Sequence, residues 1–391
     1  MSELNRRQLL AGLGTAAVGV GGYRWWNGDN CPDRRDPEWT LSGERWSPPV
    51  TTDGSVYVSE QFGTTDDDLV SRVASLEQYD GEPNWVFTVS GGGAGVPLVA
   101  DETVYVGTGG DLVYALDRRT GRVEWRYDAD GRETYGGGAW GQPAKTDGLV
   151  LVGVSHSEEG DAMPSDDETY THRVVALDAD TGEEVWAQEV DEMVWTGPVA
   201  VGDTVVTATE AGEVYGFAAD NGTRRWRTGV GETVNQSIFA DGDTVHVASG
   251  KGEIAALAAE SGAERWTTSL SSSVISFSHD DANLFVGTHS GSVVAVSQDD
   301  GSERWRSAGE EGISGLDSDG SVAYAIDYRG YVRVLDAETG ERRDLFRVPE
   351  KRGEDLCGWS PTYERRVGLV AGDDDLFVSG PWVRQVPRYR E

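Results

Sequence analysis

The sequence predicts an all-β protein that folds as an eight-bladed β-propeller with four antiparallel strands in each blade. A window of eleven residues recurs seven times, and each recurrence is accompanied by four short strand-like segments. Six windows end in Trp, and the steps between these Trp residues are 40, 61, 40, 40 and 39. A period near 40 is typical of propeller blades. The windows are Ser75–Trp85, Ala115–Trp125, Ala176–Trp186, Gly216–Trp226, Ala256–Trp266, Ala295–Trp305 and Val334–Asp344.

Each repeat predicts an inner, a second, a third and an outer strand, as "VPLVADE", "TVYVGTG", "LVYALD" and "VEWRYD" do in the second repeat. Apolar residues alternate with small or polar ones in these segments. Turns rich in Asp and Gly join the first two strands, since these residues tolerate positive φ. An Asp-x-x-Thr-Gly turn, as at Asp117–Gly121, joins the third and fourth strands. There we expect the Asp side chain to cap the turn while Gly adopts the left-handed conformation.

The Trp of the window stands at the same place on each outer strand. We expect it to pack between neighbouring blades, where a Trp buries ~150–250 Å². The repeated phrase is therefore predicted to be scaffold and not a binding site.

The eighth blade is predicted to combine both ends of the chain. The stretch 357–380 predicts three further strands, and "DPEWTL", which contains Trp39, predicts an isolated outer strand. Pairing that strand with the three C-terminal ones closes the ring and removes exposed edges. The tail "PWVRQVPRYRE" is a weaker candidate for the same edge.

The first 26 residues differ in composition from the rest. Arg6 and Arg7 precede a Gly/Ala-rich apolar stretch, which resembles a twin-arginine export signal. No Ala-x-Ala cleavage box follows, so both cleavage and retention as an anchor stay open. We expect export to the cell surface or another extracytoplasmic site, with membrane contact only through this segment. The predicted organisation is a signal or anchor at 1–26, a linker at 27–35 and the propeller at 36–391.

The composition is strongly acidic. The chain has 68 Asp and Glu against 33 Lys and Arg, which gives a formal charge of −35. We interpret this as a folded surface adapted to concentrated salt, in which counterions screen the repulsion between carboxylates. Nucleic acid is not an expected partner, because binding to phosphates needs clustered Lys and Arg.

Cys31 and Cys357 are the only cysteines. Cys357 lies in a long loop, whereas Cys31 precedes the outer strand of the eighth blade and so starts nearer the other face. We therefore favour two separate thiols over a disulfide bond, and leave a bridge or a lipid on Cys31 as alternatives.

The pattern Ala-x-Asp-x-x-Thr-Gly-x-x-x-Trp at Ala115–Trp125 and Ala176–Trp186 resembles the repeat of the pyrroloquinoline-quinone (PQQ) propeller superfamily. The resemblance covers roughly residues 36–380. It implies one of two kinds of protein: a quinoprotein dehydrogenase, which is considerably longer, or a non-enzymatic propeller similar to an outer-membrane assembly lipoprotein.

The dehydrogenase branch implies two adjacent cysteines above the quinone, a Ca²⁺ held by carboxylate and amide oxygens, and an Asp base. This chain has no adjacent cysteines, and its acidic runs are better interpreted as solvated turns. The five His residues have no metal-ligand spacing. We therefore expect no catalysis, no cofactor and no metal site.

The two faces of the predicted ring differ. Short turns between first and second and between third and fourth strands lie on one face, the turn face. Long connections such as 60–72, 128–143, 156–173 and 349–361 lie on the other, the loop-bearing face. Loops on a rigid scaffold commonly carry function. On this face a Trp precedes the Pro that begins several inner strands. The candidate binding residues are Trp46, Trp140, Gln142, Trp195, Asn235, Gln236 and Trp359.

These side chains predict an aromatic mouth around the central channel, although each Trp can instead pack beneath its own loop. The sequence thus favours an exported, monomeric, non-catalytic propeller that binds a protein or peptide partner, on a membrane or free, through its loop-bearing face. The alternative is a small-ligand or quinone-binding redox protein of the PQQ-dependent dehydrogenase type. A purely structural cell-surface role also stays open.

Overall fold

The computed structural model describes residues 33–34, 38–42, 46–60, 63–65, 68–90, 92–129, 137–139, 141–157, 170–231, 237–348, 368–372, 375–379 and 382–387. Within these ranges every regular element is a β-strand, and the strands form the eight antiparallel blades of a propeller. The predicted fold class is confirmed. No helix in the described part of the chain is long and apolar enough to span a membrane.

The described part of the first half of the chain contributes twenty strands, and apart from β1, β2, β5 and β12 they form blades 1 to 4, each from the inner strand outward. They are β1 (Asp33–Arg34), β2 (Trp39–Ser42), β3 (Val50–Thr52), β4 (Ser55–Ser59), β5 (Gly63–Thr65), β6 (Asp68–Glu77), β7 (Pro83–Ser90), β8 (Leu98–Ala100), β9 (Thr103–Gly107), β10 (Leu112–Asp117), β11 (Val123–Asp128), β12 (Gly137–Gly138), β13 (Ala144–Thr146), β14 (Leu149–Ser157), β15 (Tyr170–Asp178), β16 (Glu184–Val190), β17 (Val199–Val201), β18 (Thr204–Ala208), β19 (Glu213–Ala218) and β20 (Arg224–Gly229). Blade 1 is β3, β4, β6 and β7; blade 2 is β8 to β11; blade 3 is β13 to β16; blade 4 is β17 to β20.

The second half of the chain forms blades 5 to 8. Its strands are β21 (Ser237–Asp241), β22 (Thr244–Ala248), β23 (Glu253–Ala258), β24 (Glu264–Ser269), β25 (Val274–His279), β26 (Asn283–Thr288), β27 (Val293–Ser297), β28 (Glu303–Ser307), β29 (Ile313–Ser318), β30 (Val322–Asp327), β31 (Tyr331–Asp336), β32 (Arg342–Arg347), β33 (Gly368–Ala371), β34 (Asp375–Ser379) and β35 (Trp382–Pro387). Blades 5, 6 and 7 take four consecutive strands each, from β21 to β32, and blade 8 is β33, β34, β35 and β2.

The ring closes in blade 8, but with a different strand assignment from the predicted one. In the described part of 357–380 there are two strands, β33 and β34, and the third is β35 from the C-terminal tail. The N-terminal β2 pairs antiparallel with β35, with Trp39 opposite Gln385. The tail therefore does not compete with the N-terminal strand for an edge. It provides the edge to which that strand binds.

Three additions extend the basic blades. β5 pairs with the start of β6 and forms a short hairpin in blade 1. β12 pairs with the end of β14 in blade 3. β1, which falls in the predicted linker, runs parallel to β32 on the outer edge of blade 7. The N-terminal segment thus passes along the rim of blade 7 before it enters blade 8.

The apolar core is distributed around the ring. The described residues contain eight clusters of buried side chains, and each cluster joins two neighbouring blades. The cluster of Trp39, Val56, Leu76 and Phe377, for example, joins blade 8 to blade 1. Since all four strands of each blade contribute to these interfaces, closure of the ring is part of the core.

The repeat Trp residues lie between blades, as expected. Trp125 at the outer strand of blade 2 is 7% exposed, and its Nε1 donates a hydrogen bond to the carbonyl of Ala179 in blade 3 at 2.8 Å. Its ring covers Gly182 of the same turn, where an added Cβ would lie 2.6 Å from the ring. Gly182 also has a φ of +72°. Trp39, Trp85, Trp186, Trp226, Trp266 and Trp305 make the equivalent hydrogen bond and the equivalent Gly contact with the next blade.

The Asp-x-x-Thr-Gly turns have the predicted cap. Asp178 Oδ1 accepts hydrogen bonds from the backbone N–H of Thr181 at 2.9 Å and from its hydroxyl at 2.9 Å. The side-chain bond from Thr181 is the largest cause of a lowered pKa for Asp178. Asp336 makes the same contacts with Thr339. A hydrogen bond from Arg343 is the largest cause that lowers the pKa of Asp336 to about 2. These exposed turns are therefore held by ionised carboxylates.

Candidate functional site on the loop-bearing face

The predicted binding residues fall into three groups. Trp140, Asn235, Gln236 and Trp359 lie outside the described residues. Trp46 is described and buried. Gln142 and Trp195 are described and exposed, and they lie on neighbouring segments of blades 3 and 4.

Trp46 packs beneath its own blade. It is 4% exposed and belongs to the core cluster between blades 8 and 1. The guanidinium of Arg72 lies 5.4 Å from its ring centroid, and Arg72 Nε is paired with the buried Glu60 carboxylate at 2.6 Å. A partner on this face cannot reach the ring, so Trp46 is not available for an aromatic mouth.

Trp195 presents the opposite case. Its side chain is 41% exposed, and its Nε1 donates a hydrogen bond to Glu210 Oε2 at 2.8 Å. The backbone N–H of Glu210 in turn donates to the carbonyl of Met193 at 2.8 Å, so the Trp loop and the neighbouring turn of blade 4 hold each other. The ring is thus exposed but fixed in orientation.

Gln142 lies beside this loop. Its Nε2 donates a hydrogen bond to the carbonyl of Pro97 at 2.9 Å, which links the start of blade 3 to the start of blade 2. A Cβ on Gly197 would lie 1.8 Å from the carbonyl oxygen of Gln142, so only Gly permits this approach. The starts of the inner strands of blades 2, 3 and 4 are therefore in direct contact. They form a rigid segment of the mouth.

Two carboxylates act on His172 in this region, and one of them, Glu210, is bonded to the exposed Trp. Glu192 and Glu210 are exposed, and both act to raise the pKa of His172. Burial is the larger effect and lowers that pKa, so His172 is held neutral. Its Nδ1 lies 2.9 Å from the hydroxyl of Ser155. We call Gln142, His172, Glu192, Trp195 and Glu210 the blade 3–4 platform.

The sequence did not indicate one further polar contact of this face. His156 Nδ1 lies 3.0 Å from Oδ2 of Asp111, which is fully buried between blades 2 and 3. Asp111 has a φ of +59°, a left-handed conformation that costs about 1 kcal/mol for a residue with a side chain. The sequence did contain one sign of this contact: Asp111 stands at the turn position where blades 4 and 5 have Gly212 and Gly252.

Among the described contacts, neither histidine is joined to an accessible nucleophile. Ser155, the partner of His172, is 1% exposed, so a substrate carbonyl has no access to its hydroxyl. His156 bonds instead to Asp111. The buried polar contacts of His156 and His172 fix the strands and loops that present the platform.

The structure is similar to solved propellers of two functional kinds. It resembles BamB from Moraxella catarrhalis with a TM-score of 0.63 and 16% sequence identity, over 90% of this chain and 98% of that chain. It resembles quinohemoprotein alcohol dehydrogenase from Comamonas testosteroni with a TM-score of 0.66 and 12% identity, over 92% of this chain and 77% of that chain. At these identities the likeness shows the fold alone.

The sequence comparisons also reach both kinds. The chain is 25% identical over 228 residues to quinoprotein alcohol dehydrogenase PedH of Pseudomonas putida. That match covers 52% of this chain but only 30% of the relative's length. A family model described as outer membrane protein assembly factor BamB matches residues 17–163 and 210–372, which is most of the chain. The protein therefore belongs to this PQQ-repeat propeller family.

Proposed function

We propose that the chain is an exported, non-catalytic propeller that binds a protein or peptide partner through its loop-bearing face. Exposure of Trp195 on the blade 3–4 platform is the observation that carries the proposal. A large apolar ring exposed to water is costly, and Trp is enriched among residues that dominate binding energy. Because Glu210 already fixes the ring, the Trp195 side chain loses little conformational entropy when a partner binds.

The charge of the platform favours a partner with basic residues. Glu210 is hydrogen-bonded to the Trp, Glu192 is three residues before it in the chain, and the chain as a whole carries −35. Complementary charge mainly accelerates association and selects among partners. The family supports a role in assembly outside the cytoplasm, because its model is described as an outer membrane protein assembly factor. Export also accords with the twin-arginine pattern of residues 1–26, which lie outside the described residues.

A quinone-dependent oxidoreductase is the second candidate, and the relatives named as alcohol dehydrogenases favour it. The resemblance to those enzymes implies adjacent cysteines and a Ca²⁺ cage. The two cysteines of this chain are not adjacent, and within the described ranges no group of three or more His, Cys, Asp or Glu side chains can hold a metal ion. The described residues therefore do not fit a Ca²⁺–quinone centre of that kind.

The test compares two exposed aromatic residues on opposite faces. Trp195→Ala should abolish or strongly weaken capture of the partner from membranes at native salt, with little change in melting temperature. Tyr79→Ala is the matched control, because Tyr79 is 83% exposed in a turn of blade 1 on the turn face. That variant should capture the same partner as the wild type.

Two results would overturn the proposal. Equal capture by wild type, Trp195→Ala and Tyr79→Ala would remove the platform as the binding surface. Oxidation of an alcohol or sugar with an artificial electron acceptor, dependent on added quinone and Ca²⁺, would establish the enzyme instead.

A further inference from the structure

One repeat turn of the propeller differs from the others at two positions. It joins β19 to β20 in blade 4, on the turn face. Asn221 stands where the turns of blades 2, 3 and 7 have Thr, and Thr223 stands where they have Arg or Glu. With Gly222 between them, these residues form Asn-Gly-Thr, the acceptor pattern for N-linked glycans in proteins that leave the cytoplasm. The pattern can function only where the Asn is accessible.

The fold presents both polar side chains of this pattern to solvent. Trp186 of blade 3 lies over Gly222, where an added Cβ would be 2.7 Å from the ring. The Nε1 of the same Trp donates a hydrogen bond to the carbonyl of Ala219 at 2.8 Å, so the middle of the turn is held against blade 3. Asn221 and Thr223, on either side of Gly222, are exposed. An enzyme can therefore reach both side chains while the blade stays folded.

The hydrogen bonds of the turn leave the amide nitrogen of Asn221 available. Its Oδ1 accepts a hydrogen bond from the backbone N–H of Thr223 at 2.8 Å. Among the described residues, neither Asn221 Nδ2 nor the hydroxyl of Thr223 has a hydrogen-bond partner. The nitrogen that accepts a glycan and the hydroxyl two residues later are thus both unengaged on one exposed turn.

Capping of the turn does not by itself require Asn. Blade 4 has Ala218 at the position of the Asp cap of blade 3, so its turn depends on residue 221 for a capping hydrogen bond. Blade 6 has Ser297 there and uses Asp300, whose Oδ1 accepts the backbone N–H of Ser302 at 3.0 Å. Because a carboxylate makes the same capping contact, the feature that distinguishes Asn221 is its amide nitrogen.

We propose that Asn221 is an N-glycosylation site whose donor is an oligosaccharide carried on a lipid phosphate. In the transfer, Asn221 Nδ2 bonds to C1 of the first sugar, and the bond between C1 and the phosphate oxygen of the carrier breaks. The phosphate keeps the electron pair, and a base of the transferase takes the proton from Nδ2. The proposal rests on the export part of the proposed function, because this modification belongs to proteins outside the cytoplasm.

The position of the turn separates this site from the blade 3–4 platform. Turns between third and outer strands lie on the turn face, whereas Trp195 is exposed on the loop-bearing face. A glycan on Asn221 therefore leaves the platform open to a partner. Loss of the glycan should not change partner capture, so the two proposals can fail independently.

The test is mass spectrometry of tryptic peptides from the full chain, recovered from its native host and separated into cytoplasmic and extracytoplasmic fractions. The peptide 174–224 contains Asn221, and the peptide 228–251 contains the second copy of the pattern, at 235–237. Asn235 lies outside the described residues, and the separate peptides allow each position to be measured alone. In the extracytoplasmic protein the peptide 174–224 should carry the added mass of one or more sugars.

Three variants assign that mass to the pattern. Asn221→Asp copies the residue of blade 6, keeps the capping acceptor and should abolish the added mass without a change in melting temperature. Thr223→Val, which removes only the hydroxyl of a β-branched side chain, should also abolish it. Thr223→Ser keeps the hydroxyl and should retain it.

An unmodified peptide 174–224 in the extracytoplasmic fraction would overturn this proposal alone. Sugar mass that persists in Asn221→Asp or in Thr223→Val would also overturn it, because the attachment would not depend on the pattern. Recovery of the protein only from the cytoplasmic fraction would overturn export and this proposal together.

Discussion

Some single residues of this chain differ from the residue that the repeat has at the same position, and Asp111 is one of them. Asp111 occupies the place of Gly212 and Gly252 in the turn between second and third strands, and its carbonyl accepts the same backbone hydrogen bond from the end of the outer strand. It adopts a left-handed φ without being Gly, and its carboxylate meets His156 of the next blade. Strained residues of this kind are concentrated where loops must be held in one position. Here Asp111 supports the loop-bearing face.

His246 is a second departure from the repeat. It lies in the second strand of blade 5, where blade 6 has Phe285, and both rings pack beside their blade's Trp, with centroids 5.7 and 5.8 Å away. Burial lowers the pKa of His246 to about 4. Because the folded-state pKa lies below that of the unfolded chain, the unfolded state binds protons first as the pH falls. The stabilising contribution is complete above about pH 6.5 and is lost toward pH 4.

His246→Phe should therefore make the protein less sensitive to acid. Near pH 8 the variant and the wild type should have similar free energies of unfolding, whereas near pH 4 the variant should be more stable by about 3 kcal/mol, from a shift of this size. Denaturant melts across this pH range measure the difference. If the free energies of unfolding of the two proteins changed in parallel with pH, His246 would not be a cause of the loss of stability in acid.

At the scale of the element, the Trp of the outer strand attaches its blade to the next one in every blade except blade 7, which has Asp344 at this position. The Trp ring covers a Gly with positive φ, and the indole N–H reaches a carbonyl of the same turn. In blades 2, 3 and 7 this turn is itself held by an Asp cap, from Asp117, Asp178 and Asp336. Sequence spacing predicted the positions of the Gly and of the Trp, because both recur at a fixed place in the repeat, with Asp344 as the exception to the Trp.

Trp125→Ala or Trp186→Ala should each destabilise the protein by about 3–5 kcal/mol, since a buried ring and its hydrogen bond are removed together. Val123→Ala and Val185→Ala are matched controls on the same strands, because these valines are about half exposed. They should change stability by less than about 0.5 kcal/mol. Near-native melting of either Trp variant would contradict the inter-blade contact as a main source of stability.

At the scale of the molecule, closure and charge oppose each other. Eight inter-blade clusters hold the ring, and pairing of β2 with β35 closes it. Against this, 68 acidic residues face only 33 basic ones. Exposed pairs such as Arg225–Asp203 neutralise some of the excess, but a surface pair contributes little to stability. Net repulsion between carboxylates is therefore the dominant long-range electrostatic effect.

Stability should consequently rise with salt. Screening shortens the range of repulsion from about 30 Å at 0.01 M to about 3 Å at 1 M, so the melting temperature should increase over this interval of KCl. Thermal scans at fixed pH measure it. A melting temperature that stays constant, or falls because the surface ion pairs weaken, would contradict the interpretation of the acidic surface as an adaptation to salt.

The sequence by itself determined the blade count, the turn chemistry and the place of the repeat Trp, because alternation of residues, positive φ at Gly and capping by Asp act over a few neighbouring residues. Whether a side chain is buried depends instead on which distant segments of the chain pack against it. Trp46 and Trp195 both precede a Pro by three residues, yet Arg72 and blade 8 cover the first, whereas the second faces solvent beside Glu210. In the same way, only the folded ring shows that the tail strand binds β2. The cover of Trp46 by blade 8 and the pairing of β2 with β35 depend on contacts between the two ends of the chain, and no local pattern encodes them.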